Sequence, residues 1–205
     1  MSSARIHPTA VIEDGVEIGE GSAIWDSVHI RGPGTSIGSS VIVGEKTYIA
    51  YDVRIGNRVK INAFVYICAG VTIEDGVMIS AGTIFTNDRF PRATGPDLSE
   101  LLSSEEPEDM PRAKVGAGAT IGAGAIIGPG VDIGRFAMIG MGTVVTRTVG
   151  DHMLVLGNPG KTVGLVCACG HPWTRELPSA ATRGVCSNCG LTLEWSNGRC
   201  QVANT

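Results

Sequence analysis

Aromatic side chains are scarce in this sequence, and it has no surplus of positive charge. Only 5% of the 205 residues are Phe, Trp or Tyr, and 16 Lys and Arg stand against 20 Asp and Glu, for a formal charge of −4. This balance does not favour a nucleic-acid partner, because nucleic-acid-binding proteins usually carry a basic surplus. Few aromatics together with 29 glycines indicate a slim core made of small repeated layers.

Long apolar runs are also absent. Gly, Pro and charged residues interrupt every stretch before it reaches the roughly 20 apolar residues that a membrane-spanning helix needs. The opening MSSARIHPTA lacks the basic and then apolar order of a signal peptide. The sequence therefore predicts a cytoplasmic protein with no membrane partner.

Aliphatic residues recur at every sixth position through most of the chain. The positions are Ile6, Ile12, Ile18, Ile24 and Ile30, then Ile37, Val43, Ile49, Ile55, Ile61, Ile67, Ile73, Ile79 and Phe85, and finally Val115, Ile121, Ile127, Ile133, Ile139 and Val145. A period of six fits neither a helix nor long paired strands. It predicts short strands joined by tight corners, with three faces per 18-residue coil and coils stacked about 4.8 Å apart. This is the pattern of an all-β protein built as a parallel β-helix.

The count fails between residues 86 and 114, which predicts an external loop. The loop opens with FTNDRFPR and contains many acidic residues, among them Glu105, Glu106 and Glu108. Its PDLSELLSS segment is compatible with a short helix capped by Asp97. A solvated insertion is one interpretation, but loops of this length are uncommon in compact domains unless they have a function.

The repeat resembles that of the hexapeptide-repeat acyltransferases. This resemblance covers residues 5–164 and implies a left-handed β-helix that forms homotrimers, with active sites between neighbouring subunits. We therefore expect a β-helix domain over residues 1–164 and a small tail over residues 165–205. FTNDRFPR, IWDSVHI and VVTRTVGDHMLVLGNPGK further resemble N-acetyltransferases that act on nucleotide-linked 3-amino sugars.

Several residue roles follow from this resemblance alone. Asn87 is expected to hold the amino group of a UDP- or dTDP-linked amino sugar, with Asp88 and Arg89 as its neighbours. The turn that contains Asn158, together with Lys161, is expected near the phosphates of acetyl-CoA, and Arg147 is a further candidate.

The scarcity of histidine helps to decide whether the acyl acceptor is an amine or a hydroxyl. A sugar amine should titrate near an α-amino group, at about pH 8, so part of it is neutral and can attack a thioester directly. A hydroxyl acceptor needs a general base, usually His. The loop contains no His, and of His7, His29, His152 and His171 only His29 is a plausible cleft residue, either structural or substrate-binding.

These observations favour N-acetyl transfer over three alternatives. An O-acetyltransferase of the same fold would need a general base. A γ-type carbonic anhydrase would need three converging His residues, which the coils lack. The third alternative is a non-catalytic scaffold that contains zinc.

Four cysteines in the tail have the spacing of a metal site. Cys167 and Cys169 form a C-x-C-G pair, and Cys186 and Cys189 form a C-x-x-C-G pair. Two such pairs can converge on one ion as four thiolates, which is typical of a structural zinc site, although iron could take its place. Disulfides are the alternative, which reducing compartments disfavour. Cys200 stands apart, and His171 could compete as a ligand. We expect the tail to cap the open end of the β-helix.

Overall fold

The computed structural model describes residues 3–103, 107 and 109–203. Strands and turns make up all the regular structure in these residues, and no helix occurs in them. Ser104, which ends the predicted helix, and the acidic loop residues Glu105, Glu106 and Glu108 lie outside the described part of the chain.

Two-residue strands form the coils. They are β1 Arg5–Ile6, β2 Val11–Ile12, β3 Glu17–Ile18, β4 Ala23–Ile24, β5 His29–Ile30, β6 Ser36–Ile37, β7 Ile42–Val43, β8 Tyr48–Ile49, β9 Arg54–Ile55, β10 Lys60–Ile61, β11 Tyr66–Ile67, β12 Thr72–Ile73, β13 Met78–Ile79, β14 Ile84–Phe85, β15 Lys114–Val115, β16 Thr120–Ile121, β17 Ile126–Ile127, β18 Met138–Ile139 and β19 Val144–Val145. Longer strands follow: β20 Met153–Leu156, β21 Lys161–Val166, β22 Pro172–Thr174, β23 Thr182–Val185, β24 Thr192–Ser196 and β25 Arg199–Val202.

The coil strands stack into three parallel sheets, as the period of six predicts. A ten-stranded sheet has the order β1-β4-β7-β10-β13-β16-β18-β20-β21-β22, a seven-stranded sheet the order β19-β17-β14-β11-β8-β5-β2, and a five-stranded sheet the order β15-β12-β9-β6-β3. From β1 to β17, successive strands visit the three sheets in turn, and the third face of the last coils continues as isolated bridges at Ile133 and Val149. The prediction of a parallel β-helix is confirmed.

The aliphatic residue of each strand points into the prism. Ile49, Ile61, Ile67, Ile79 and Phe85 are fully buried, and they belong to one continuous core. Since each strand supplies one inward side chain and one outward side chain, the core is a set of vertical ladders rather than a broad interior. This arrangement explains why so few aromatic residues suffice.

The corners depend on small residues for two physical reasons. Buried Thr47 donates its hydroxyl to the carbonyl oxygen of Asn62, at 3.1 Å, and so satisfies a corner that water cannot reach. Close stacking of coils accounts for glycine: a Cβ added to Gly38 would lie 2.6 Å from the carbonyl oxygen of Gly56. Gly38 directly follows the inward residue Ile37, and Thr47 comes four positions after the inward residue Val43.

The external loop leaves the prism after β14 and returns at β15, so Lys114 already belongs to the coil. The predicted helix at PDLSELLSS is wrong in its described part. Asp97 accepts hydrogen bonds from the backbone and hydroxyl of Ser99, Leu98 adopts a φ of 58°, and Leu101 bridges to Thr94 in antiparallel fashion. A local turn therefore replaces the helix, because the Asp97 side chain satisfies turn geometry as readily as a helix cap.

The tail continues the ten-stranded sheet. Strand β21 pairs antiparallel with β20, the last strand of the coils in this sheet, and β22 pairs with β21. Strands β23, β24 and β25 form a separate three-stranded sheet. The division of the chain at residue 164 stays a proposal, since that position lies inside β21.

Met153 links the two cores, because it packs against the β-helix core and against the tail core around Leu165 and Leu193. The described residues also contain no helix long and apolar enough to cross a membrane.

The ladder arrangement predicts that alanine substitutions at two isoleucines lower the free energy of unfolding by very different amounts. Ile67→Ala removes a fully buried side chain and should lower the free energy of unfolding by about 2–5 kcal/mol. Ile42→Ala changes the same residue type on the outer, exposed side of a strand, and we expect a loss below about 1 kcal/mol. Urea unfolding followed by circular dichroism measures both. Equal costs would contradict the assignment of the two sides of the coil.

Candidate functional site

Asn87 lies at the base of the external loop. Thr86 still follows the coil, with its backbone N–H bonded to the carbonyl oxygen of Ile127 at 3.0 Å. The half-buried amide of Asn87 then donates from Nδ2 to Sδ of Met110, at 3.0 Å. Because Met110 lies near the other end of the loop, this contact closes the loop at its base.

The loop is also held against the prism at its return. The guanidinium of Arg112 forms an ion pair with Asp52, two coils below. On the coil above the loop, Gly130 has a φ of 66°, and a Cβ added there would lie 2.9 Å from Pro111 and 3.5 Å from the guanidinium of Arg89. Glycine at this corner therefore lets both ends of the loop approach the backbone.

Asp88 and Arg89, the predicted neighbours of Asn87, are both exposed. A carboxylate oxygen of Asp88 accepts a hydrogen bond from the backbone N–H of Phe90, at 2.7 Å. This bond shapes the loop turn that follows Asn87 and leaves the Arg89 side chain beside Gly130.

His29 has a carboxylate partner that the sequence interpretation missed. Its Nε2 lies 3.0 Å from Oε1 of Glu13, and the same oxygen lies 2.7 Å from Nε of Arg31. Burial would raise the pKa of Glu13, but hydrogen bonds from His29, Arg31 and the backbone of Gly32 outweigh it and hold the pKa below its usual value. Glu13 is thus a carboxylate that orients the imidazole. Glu13 and Arg31 are one full coil apart along the chain, so the period that reveals the core could also have revealed this carboxylate.

The predicted coenzyme residues lie at the upper end of the coils. Arg147 is exposed just after β19, while exposed Asn158 and Lys161 lie in and after the turn between β20 and β21. This turn stacks on β19, because Val144 N–H donates to the carbonyl oxygen of Gly157 and Gly160 N–H donates to that of Val144. Arg147 therefore lies at one end of β19, and the turn with Asn158 and Lys161 lies against its other end.

All the predicted site residues outside the tail lie on or beside the seven-stranded sheet. His29 lies in β5 on the outward side of this sheet, Asn87 follows β14, and Arg147 follows β19. Strands β5 and β14 are three positions apart in the sheet, so His29 and Asn87 are separated by about 14 Å within one chain. The structure does not bring these two together.

The outer side of this sheet is unusually apolar. Its outward ladder contains His29, Tyr48, Tyr66, Ile84 and Ile126, and the rings of Tyr48 and Tyr66 stack 5.4 Å apart. Outward residues of the five-stranded sheet are instead polar or charged, such as those at 17, 36, 54, 72 and 114. The loop adds Leu98 and Leu101, which are 78% and 82% exposed. The apolar ladder includes β14, and Asn87 follows this strand at the base of the loop that carries the two leucines.

The four tail cysteines converge as their spacing predicts. One sulfur atom from each of Cys167, Cys169, Cys186 and Cys189 lies within 4.8 Å of the others. The shortest separations are 3.5 Å for Cys167 and Cys189 and 3.7 Å for Cys169 and Cys186. A tetrahedral ion with metal–sulfur bonds of about 2.3 Å implies sulfur separations of about 3.8 Å, whereas a disulfide requires about 2.05 Å. The arrangement fits a four-thiolate metal site.

Backbone N–H groups prepare two of these thiols for a metal. The pKa of Cys169 falls to about 6, mainly through a hydrogen bond from the backbone of His171. Backbone bonds from Cys189 and Asn188 lower the pKa of Cys186. Burial instead raises the pKa of Cys167 to about 12.

Cys200 lies outside the cluster, as expected. It is buried in the tail core, and burial raises its pKa to about 11. His171 lies at the edge of the cluster, with Nδ1 3.8 Å from the sulfur of Cys169.

The family model described as bacterial transferase hexapeptide, with six repeats, matches residues 52–87 and 112–147. A dTDP-3-amino-3,6-dideoxy-alpha-D-galactopyranose 3-N-acetyltransferase from Aneurinibacillus thermoaerophilus is 38% identical over 92 residues, which is 45% of this chain and 45% of that protein. The chain thus matches about half the length of this curated relative.

Two solved structures are also similar. PerB from Caulobacter crescentus, in complex with CoA and GDP-perosamine, is 26% identical with a TM-score of 0.46, covering 80% of this chain and 58% of that one. A mutant of AntD, an N-acyltransferase from Bacillus cereus, in complex with dTDP and coenzyme A, is 19% identical with a TM-score of 0.47, covering 81% and 84%.

The two ranges matched by the family model end at the base of the external loop on either side, where Asn87 and Arg112 lie. They contain the six-residue count, the buried ladder and the corner glycines described above. These coils are therefore the part of the chain that is similar to the bacterial transferase hexapeptide family.

Proposed function

We propose that this protein is an N-acetyltransferase that moves acetyl from acetyl-CoA to the amino group of a UDP- or dTDP-linked amino sugar. The position of Asn87 carries the proposal, because its amide lies where the coil count fails and the loop closes. The curated relative, named as a dTDP-amino-sugar N-acetyltransferase, supports the substrate class.

The proposed reaction asks little of the side chains. The neutral amine attacks the thioester carbonyl carbon, the carbon–sulfur bond breaks, and the amine nitrogen gives up a proton to the departing thiolate, so that CoA leaves as the thiol. Among the described residues, the side-chain amide of Asn87 makes one hydrogen bond, from Nδ2 to Met110, so Oδ1 can accept from the amine. That bond would aim the nitrogen lone pair at the carbonyl. A backbone N–H in the cleft would stabilise the oxyanion.

Acetyl-CoA would bind at the upper end of the seven-stranded sheet. Arg147 and Lys161 offer positive charge to its phosphates, and Asn158 offers an amide in the turn that stacks on β19. All three are exposed, which supports a role in binding a ligand rather than in holding the fold.

The pair of His29 and Glu13 supports a second candidate. A base held by an orienting carboxylate is the arrangement that O-acetyl transfer needs. The His29 and Glu13 pair is separated from Asn87, which favours the N-acetyltransferase. In that enzyme His29 would contact the substrate or stabilise the coil.

A homotrimer is the assembly that we propose. The apolar ladder of the seven-stranded sheet and the exposed leucines of the loop need a cover, and a neighbouring prism would bury both. The same contact would add a second wall to the site beside Asn87.

We also propose that the four tail cysteines hold a structural zinc ion. Four thiolates leave no open coordination position, so the ion would stabilise the tail without taking part in acetyl transfer. A reducing, cytoplasmic location would keep these thiols available for the metal.

The trimer can be tested by its mass and by its contacts. Light scattering should give about three times the 21.3 kDa of one chain. Leu101→Asp should weaken the trimer because it charges an apolar contact, whereas Leu191→Asp on the exposed tail should not. A monomer at micromolar concentration contradicts both the assembly and the two-walled site.

Asn87→Ala tests the aiming of the amine. We expect turnover to fall about 10- to 100-fold, the equivalent of a hydrogen bond worth about 1.5–3 kcal/mol. His29→Asn should retain most of the activity. The pH profile of kcat/KM should rise to a plateau near the pKa of the substrate amine, with no separate limb near 6.5.

The opposite result would reassign the mechanism. If His29→Asn abolishes turnover while both substrates still bind, His29 is a general base and the O-acetyltransferase becomes the better proposal.

Zinc content can be compared between two serine variants. The wild type should hold about one zinc per chain, and Cys186→Ser should lose metal and stability because zinc binding contributes to folding. Cys200→Ser, which changes a buried thiol outside the cluster, should keep its zinc. Surviving trimers of Cys186→Ser should still turn over. Full occupancy in Cys186→Ser, measured by elemental analysis, contradicts the ligand set.

A further inference from the structure

An exposed tryptophan stands between two cavities at the corner after β4. The indole of Trp25 is 46% exposed, and the guanidinium of Arg5 lies 5.3 Å from its ring centroid. Arg5 and Trp25 line a cavity of about 250 Å³, and Trp25 also lines a second cavity of about 470 Å³. The ring therefore has a cation on one side and an open cavity on the other.

The larger cavity has the size and lining of a small-molecule site. Its volume of about 470 Å³ lies within the usual range for ligand pockets. Trp25 and Ile42 supply apolar wall, while Glu45, Lys60 and Asn62 supply a carboxylate, an ammonium and an amide. One aromatic face with a cation and hydrogen-bonding groups is the chemistry that binds a base joined to phosphates.

Above the cavity, the same corner of the prism has a strip of residues with little or no side chain. Ala81 lines the upper edge of the cavity. Above it, a Cβ added to Gly124 or Gly142 would meet nothing within 4 Å. This strip ends at the turn that contains Asn158, so one edge of the prism connects the cavity with that proposed coenzyme residue.

We infer that the cavity beside Trp25 binds the nucleoside diphosphate of the acceptor. The base stacks on the side of the indole that Arg5 leaves open, and Lys60 faces the diphosphate. Glu45 and Asn62 offer acceptors to the imino N–H that uracil, thymine and guanine share. The inference rests on the proposed function for its ligand class.

Acetyl-CoA carries a related group, an adenosine with phosphates, so the test must separate the two sources. Calorimetry on the full chain would use UDP, dTDP and GDP as acceptor probes, and adenosine 3′,5′-bisphosphate and CoA as donor probes. Trp25→Ala should weaken at least one acceptor probe about 5- to 100-fold, the usual effect of losing a stacked base. The donor probes should bind as tightly as before.

Two further variants keep the test sharp. Lys60→Met, an exposed change that the fold should tolerate, should also weaken the same diphosphate. Trp173→Phe, in the tail, should change no affinity. Quenching of Trp25 fluorescence by the bound base provides a second readout.

Three results would overturn the inference. They are a wild type that binds none of the acceptor diphosphates at millimolar concentration, unchanged diphosphate affinity in both Trp25→Ala and Lys60→Met, and a loss confined to the donor probes. Failure of the proposed function looks different: diphosphate binding would still depend on Trp25, while no amino sugar would be acetylated.

Discussion

Hydrogen bonds between successive coils are the constraint on which the rest of the structure depends. Tyr48 N–H donates to the carbonyl oxygen of Val65, and Tyr66 N–H donates to that of Thr83 one coil higher, at 2.9 and 3.0 Å. Because the inner two-residue strands are paired above and below, an extra residue inside a strand would move the aliphatic ladder out of the core. Additional chain can leave only at a corner, and the external loop does so between β14 and β15.

This constraint also organises the functional residues. The loop base, the His29 and Glu13 pair and the turn around Asn158 all border the seven-stranded sheet, although they come from distant parts of the chain. The tail follows the same logic, since β21 covers the last coil strand of the ten-stranded sheet and Met153 packs into both cores. Loss of order around the cysteines would therefore reach the top coil through the pairing of β21 with β20 and through the Met153 side chain.

The period of six made the fold predictable from the sequence. The conformation of the external loop was not predictable in this way. Most aliphatic residues of the six-residue count are buried, and the four cysteines of the two pairs converge, because both patterns depend on short stretches of chain. The loop segment around Asp97 has no such repeat, and its side-chain bonds with Ser99 favour a turn over the helix that its composition suggested. Glu13 and Trp25 were missed for another reason: they point outward, and the count of six describes only what points inward.

Stacked coils have a consequence for how such a protein can change over evolution. Two outward residues on one sheet are separated by a whole number of strands, so the spacing between His29 and Asn87 can change only in steps of about 4.8 Å. Deleting or duplicating one 18-residue coil between them would shift that spacing by one step and leave every other contact in register. The spacing between any two outward side chains of this sheet is therefore set in discrete steps of one coil.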